Sequence, residues 1–134
     1  MASGGFTVAL ADSVGVKPEY ILGLLNSTLL FWRLRQLSSL FRGGWVTCTK
    51  QYFGELPIHL IEVSNPGEKA RHDRLVELVE QMLAAKKQLA AALSDKDKDF
   101  YTHRCDGLDR QIDGLVYDLY ALTPDEIKVV EGRP

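Results

Sequence analysis

The chain has 134 residues, of which 46% are hydrophobic and 25% charged, a composition typical of one globular domain rather than a disordered tail. The formal net charge of −2 excludes a globally basic nucleic-acid-binding protein. The longest uncharged stretch, 20–32, has 13 residues and is too short for the ~20 apolar residues of a membrane span. Two cysteines, Cys48 and Cys105, cannot form a disulfide framework, and a cytoplasmic protein is expected. The opening Met1–Gly5 lacks the features of a signal peptide and resembles an artificial boundary.

The first half of the chain predicts short strands around one helix. Pro18 suits the first position of a helix, and apolar residues recur over 20–37 at the helical period. Gly43 and Gly44 predict a loop. Strands are predicted at Phe6–Leu10, Trp45–Thr49 and Ile58–Val63.

The second half predicts long helices. Asn65 and Pro66 form a helix-start signature, and Thr123 followed by Glu126 forms a second one for a short helix ending near Val130. Between them, two apolar stripes predict an antiparallel hairpin over about 69–121. The predicted seam consists of Val79, Met82, Leu89, Leu93, Leu108, Ile112, Leu115 and Leu119. Cys105 fits the same stripe as a small core residue.

The pattern as a whole predicts an α+β fold. A small β/α portion is followed by the two-helix hairpin and a short C-terminal helix. We therefore expect a boundary between residues 1–64 and residues 65–134. No internal repeat is visible in the sequence.

Charge is distributed unevenly along the chain. Residues 1–64 carry five basic and four acidic residues, whereas residues 65–134 carry eleven basic and fourteen acidic ones. No acidic residue lies between Glu19 and Glu55. This asymmetry predicts an anionic partner for the first half and a structural or partner-docking role for the acidic hairpin.

A dense set of hydrogen-bond donors lies in the acid-free stretch. Arginine and lysine suit phosphates and guanine edges, glutamine can address adenine, and threonine hydroxyls reach phosphate oxygens. The predicted DNA-contacting residues are Arg42, Gly43, Gly44, Trp45, Thr47, Thr49, Lys50 and Gln51. The alternative is an exposed β-loop with solvated charges, a plain tight turn at the glycines and Trp45 in the core.

The sequence does not support catalysis. Neither glycine-rich phosphate-binding pattern occurs, and the three histidines are scattered along the chain. Neither cysteine has an organised base partner. The acids of 124–128 superficially resemble a nuclease cluster, but they belong to a helix-capping sequence. No catalytic, cofactor-binding or metal-binding residue is therefore predicted.

Several stretches together resemble the distal part of the target-recognition domain of TaqI-like DNA methyltransferases, which also occurs in type IIG restriction–modification enzymes. They are YILGLLNSTLL at 20–30, RGGW at 42–45, TKQYFGELPI at 49–58 and IDGLVYDLYALTPDEI at 112–127, with Glu131 and Gly132. Three departures stand out: Trp45 replaces the usual tyrosine, Thr28 a common lysine and Ala121 a common glycine.

The resemblance implies that the chain is a non-catalytic, DNA-recognising fragment. The parent enzyme would bind S-adenosylmethionine in an upstream domain, methylate DNA at adenine N6 and, in fused enzymes, cut DNA with Mg²⁺. The expected partners are double-stranded DNA and the methyltransferase body or an equivalent subunit, which would dock on the C-terminal helices. The alternative is a helical interaction module without DNA contact, whose hairpin docks on another protein or forms a homodimer.

Overall fold

The computed structural model describes residues 15–38, 56–62 and 64–132. Within these residues the chain forms five helices and no strand, so the predicted α+β class is wrong. The helices are α1 (Pro18–Leu25), α2 (Thr28–Ser38), α3 (Pro66–Ala91), α4 (Asp95–Leu119) and α5 (Pro124–Val130). None of them is long and apolar enough to cross a membrane.

The helical hairpin is confirmed and forms the centre of the fold. Helices α3 and α4 are joined by three residues and pack along their length. The Asn65 side chain caps α3 by accepting from the backbone N–H groups of Gly67 and Glu68, and Ser94 caps α4 through Asp97. Thr123 and Glu126 form the predicted capping box of α5.

The core joins helices from both halves of the chain. Helix α1 packs on α3, and α2 contacts α4 and α5. The largest fully buried apolar side chains are Tyr20, Leu24, Leu30, Leu75, Leu78 and Val116. The predicted boundary between 64 and 65 stays a prediction, but described residues on both sides of it share this core.

Gly23 lies at a close contact between α1 and α3. A Cβ atom at this position would lie 2.9 Å from Val79 Cγ2 and 3.0 Å from Leu75 Cδ1. These distances are too short for a side chain without movement of its neighbours. The glycine therefore allows close contact between the two helices.

The predicted single helix over 20–37 is divided in two. Ser27 Oγ donates to the carbonyl of Leu24 at 2.6 Å and accepts from the N–H of Leu30 at 3.2 Å. Ser27 thereby ends α1 and caps α2. Asn26 also donates through its side chain to the carbonyl of Leu22. Short polar side chains that bond to nearby backbone interrupt helices in this way.

The predicted strand at Ile58–Val63 is also wrong over 58–62, whereas Val63 lies outside the described residues. The segment carries no regular secondary structure because side chains from helices bond to its backbone groups where a neighbouring strand would be required. The strands predicted at Phe6–Leu10 and Trp45–Thr49 lie outside the described residues.

The predicted hairpin seam is mostly correct. Val79, Leu108, Ile112 and Leu119 are buried, as is Cys105, while Met82, Leu89 and Leu115 pack against the core and are partly buried. Leu93 is 94% exposed, so its place in the seam is wrong. Helix α3 ends at Ala91, and Leu93 lies in the connection to α4, where the helical period no longer holds.

Helix α4 ends in a Schellman motif. The N–H of Leu122 donates to the carbonyl of Tyr117, and the N–H of Ala121 donates to that of Asp118. This places Ala121 in the left-handed region, with φ of 53°. A glycine adopts that conformation without steric cost.

We therefore expect Ala121→Gly to raise the free energy of unfolding by about 0.5–1 kcal/mol, because relief of the left-handed strain exceeds the extra entropy of the unfolded chain. The matched control is Ala84→Gly at an exposed position inside α3, which should lower the free energy of unfolding by about 1 kcal/mol. Urea unfolding followed by circular dichroism measures both changes. A loss of stability in Ala121→Gly would contradict the assignment of this cap.

Candidate nucleic-acid interface

The predicted DNA-contacting residues all fall between α2 and Leu56. Arg42, Gly43, Gly44, Trp45, Thr47, Thr49, Lys50 and Gln51 lie outside the described residues, so their role stays a prediction. The described residues define how the chain is held immediately before and after this stretch. Each flank overlaps in part with a segment that carries the family resemblance.

Helix α2 forms the first flank, and its start is fixed from α4. The N–H of Thr28 donates to Asp113 Oδ1 at 2.9 Å, and the Thr28 hydroxyl donates to Asp113 Oδ2. A carboxylate from another helix thus binds the first N–H group of α2, that of Thr28. This bond ties α2 to α4 at a point 85 residues away along the chain.

The exposed side of α2 carries positive charge. Arg33 and Arg35 are exposed, and the helix contains no acidic residue. The guanidinium carbon of Arg35 lies 6.0 Å from the ring centroid of Phe31, which is 46% exposed. At this distance the contact is a weak cation–π interaction.

The second flank is an extended segment, 56–60, held by two tyrosines. The Tyr20 hydroxyl of α1 donates to the carbonyl of His59 at 2.6 Å. The hydroxyl of Tyr120, which follows α4, donates to the carbonyl of Pro57 and accepts from the N–H of His59 at 3.0 Å. We call Tyr20, Tyr120 and the segment 56–60 the tyrosine anchor.

Glu68 extends these contacts to the beginning of α3. Its Oε2 accepts from the N–H of Glu62 at 2.6 Å, and its Oε1 lies 3.6 Å from His59 Nε2. Leu56 and Ile61 are buried on either side of the anchored backbone. The chain therefore leaves the predicted DNA-contacting stretch on a segment fixed by both hydrogen bonds and apolar packing.

The pKa values of both anchor tyrosines are raised. Burial, followed by the neighbouring Tyr120 and Glu68, raises the pKa of Tyr20 well above its ordinary value of 10.0. Burial also raises the pKa of Tyr120, partly offset by the bond from the His59 backbone. The pKa of Tyr117, which donates to Glu131, is raised mainly by burial and by Asp113. All three hydroxyls are held in the protonated form that their donated hydrogen bonds require.

This perturbation gives an expected pH dependence. The unfolded chain loses these phenol protons near pH 10 while the folded chain keeps them, so their stabilisation is complete below about pH 10 and is lost as the pH rises further. We expect the free energy of unfolding to fall steeply above about pH 10. In Tyr20→Phe the fall should be shallower, because one of the phenols whose pKa is raised by folding is absent. Parallel pH profiles of the two proteins would contradict this expectation.

The histidines do not form a metal site in the part of the chain that the structure describes. No group of three potential ligands occurs among those residues. His72 is buried and accepts from the backbone N–H of Lys17 through Nε2 at 3.1 Å, while its Nδ1 lies 2.9 Å from Asp73 Oδ1. These partners fit the neutral tautomer with the proton on Nδ1, which gives His72 a structural role at the start of α1.

Sequence reasoning did not identify Tyr20, Tyr120 or Asp113 as positioning residues. One signal was available: each is a polar residue within or beside an apolar stripe, inside a stretch that carries the family resemblance. Two of their partners, Pro57 and Thr28, belong to other such stretches, and the third, His59, directly follows one. Only the three-dimensional arrangement connects them.

Comparison of the chain with protein-family models finds no match, and comparisons with curated proteins and with solved structures find none either.

Proposed function

We propose that this chain is part of the DNA target-recognition region of a restriction–modification methyltransferase of the TaqI-like or type IIG kind. In this proposal the stretch 39–55 contacts double-stranded DNA, and the helices position it and dock on the methyltransferase body. The chain itself has no catalytic role. The parent enzyme, acting in the cytoplasm, supplies S-adenosylmethionine-dependent methylation of adenine N6 and, where it also cleaves, a Mg²⁺-dependent nuclease.

One observation carries the proposal: the separate stretches that resemble this family meet one another in the fold. Tyr120 of the last stretch bonds to Pro57 within the middle stretch. Tyr20 of the first stretch and Tyr120 both bond to His59, the residue that follows the middle stretch. Asp113 of the last stretch caps the helix that begins at Thr28 in the first. This mutual bonding supports the proposal, because stretches that belong to one structural unit are expected to contact one another.

The charge distribution supports the same proposal. The described flank before 39–55 is the acid-free helix α2, and Arg42 and Lys50 continue its positive charge. Helix α4, in contrast, carries seven aspartates and four basic residues. An anionic duplex would therefore approach the α2 side and be repelled by the α4 side.

The experiment is alanine substitution at Arg42 and Lys50 with salt-dependent duplex binding as the measurement. If each side chain contacts one phosphate, each variant should bind all sequences more weakly and lower the salt slope by about 0.9. If Arg42 instead contacts a guanine, Arg42→Ala should lose about 1–3 kcal/mol of binding free energy for duplexes that carry this guanine. The variant should then discriminate less between bases at that position. The full-length enzyme is the appropriate protein for these measurements.

Matched controls come from exposed basic residues of the hairpin. Arg104→Ala in α4 and Lys87→Ala in α3 remove the same charges from the side proposed not to contact DNA. These two variants should keep the wild-type salt slope. Equal slopes in all four variants, or binding that does not change with any of them, would contradict the proposed DNA-contacting stretch.

A second candidate is a helical interaction module without DNA contact. The observation that favours it is the exposure of two large apolar side chains near the hairpin connection, Leu93 at 94% and Phe100 at 62%. A homodimer through this end would make the melting temperature rise with protein concentration. That result, together with no retention on heparin, would favour the second candidate over DNA recognition.

A further inference from the structure

We draw no further inference here: the strongest candidate, the cleft of about 350 Å³ between α1, α3 and α4 that is edged by the exposed Leu22 and Leu83, carries none, because nothing in the described part of the chain shows what covers it.

Discussion

Shortening Leu75 to alanine is expected to lower the free energy of unfolding by about 2–5 kcal/mol. Leu75 is fully buried in α3. Its Cδ1 and Cγ lie within 3.1 Å of the position that a Cβ of Gly23 would occupy, so it packs directly on the backbone of α1. Two rigid helices cannot close the resulting cavity, and both the transfer energy and the packing contacts of the missing atoms are lost.

The matched control is Leu93→Ala. Both leucines lie on one apolar stripe of the sequence, which continues from Leu75 through Val79, Met82 and Leu89 to Leu93, but Leu93 is 94% exposed in the α3–α4 connection. Its truncation should change the free energy of unfolding by less than about 0.5 kcal/mol. Urea unfolding with a common m-value for the three proteins would establish the comparison. Similar losses in both variants would contradict the burial assigned to these two residues.

These two leucines also show how far the sequence predicts the fold. A stripe of apolar residues at helical spacing predicts the hairpin correctly, because burial of one face stabilises a helix wherever the helix continues. The stripe does not indicate where the helix ends. Helix α3 ends at Ala91. Leu93 is therefore exposed to solvent, although its position in the sequence fits the helical spacing.

The division of the first predicted helix has a similar cause. Apolar residues occur at helical spacing both before and after the polar residues 26–28. Ser27 nevertheless bonds to the backbone on both sides, and Asp113 binds the start of the second helix. The second bond depends on a residue 85 positions away. Local pattern therefore favours one long helix, and a long-range contact stabilises two short ones.

The strand predicted near Ile58 is wrong because the local sequence cannot supply a partner strand. Pro57 and the β-branched residues that follow favour an extended backbone, and the segment lacks helix as expected. A strand also requires a partner strand, which periodicity cannot supply. Tyr20, Tyr120 and Glu68 bond to the segment's backbone groups where a partner strand would. Caps at Asn65 and Thr123 were predictable because their partners lie within three residues.

Asp113 is the residue whose loss should most affect the link between the two halves of the chain. We expect Asp113→Ala to lower the free energy of unfolding by about 2 kcal/mol, since the Thr28 N–H and hydroxyl both lose a charged acceptor in a half-buried position. Asp113→Asn keeps an oxygen that can accept from the Thr28 N–H. Asp113→Asn should therefore lower the free energy of unfolding by less than about 1 kcal/mol, because asparagine is also a favourable capping residue.

The asparagine variant also separates the capping role of Asp113 from its charge. Removing the Asp113 carboxylate removes one of the two main causes that raise the pKa of Asp109, while the larger cause, partial burial, remains. The pKa of Asp109, measured by NMR titration, should therefore fall in both variants, whereas stability should fall clearly only in Asp113→Ala. Pairing Asp113→Ala with Thr28→Val in a double-mutant cycle should give a coupling of about 1 kcal/mol or more. Additive losses would show that the two residues act independently, and α2 would then require another connection to the hairpin.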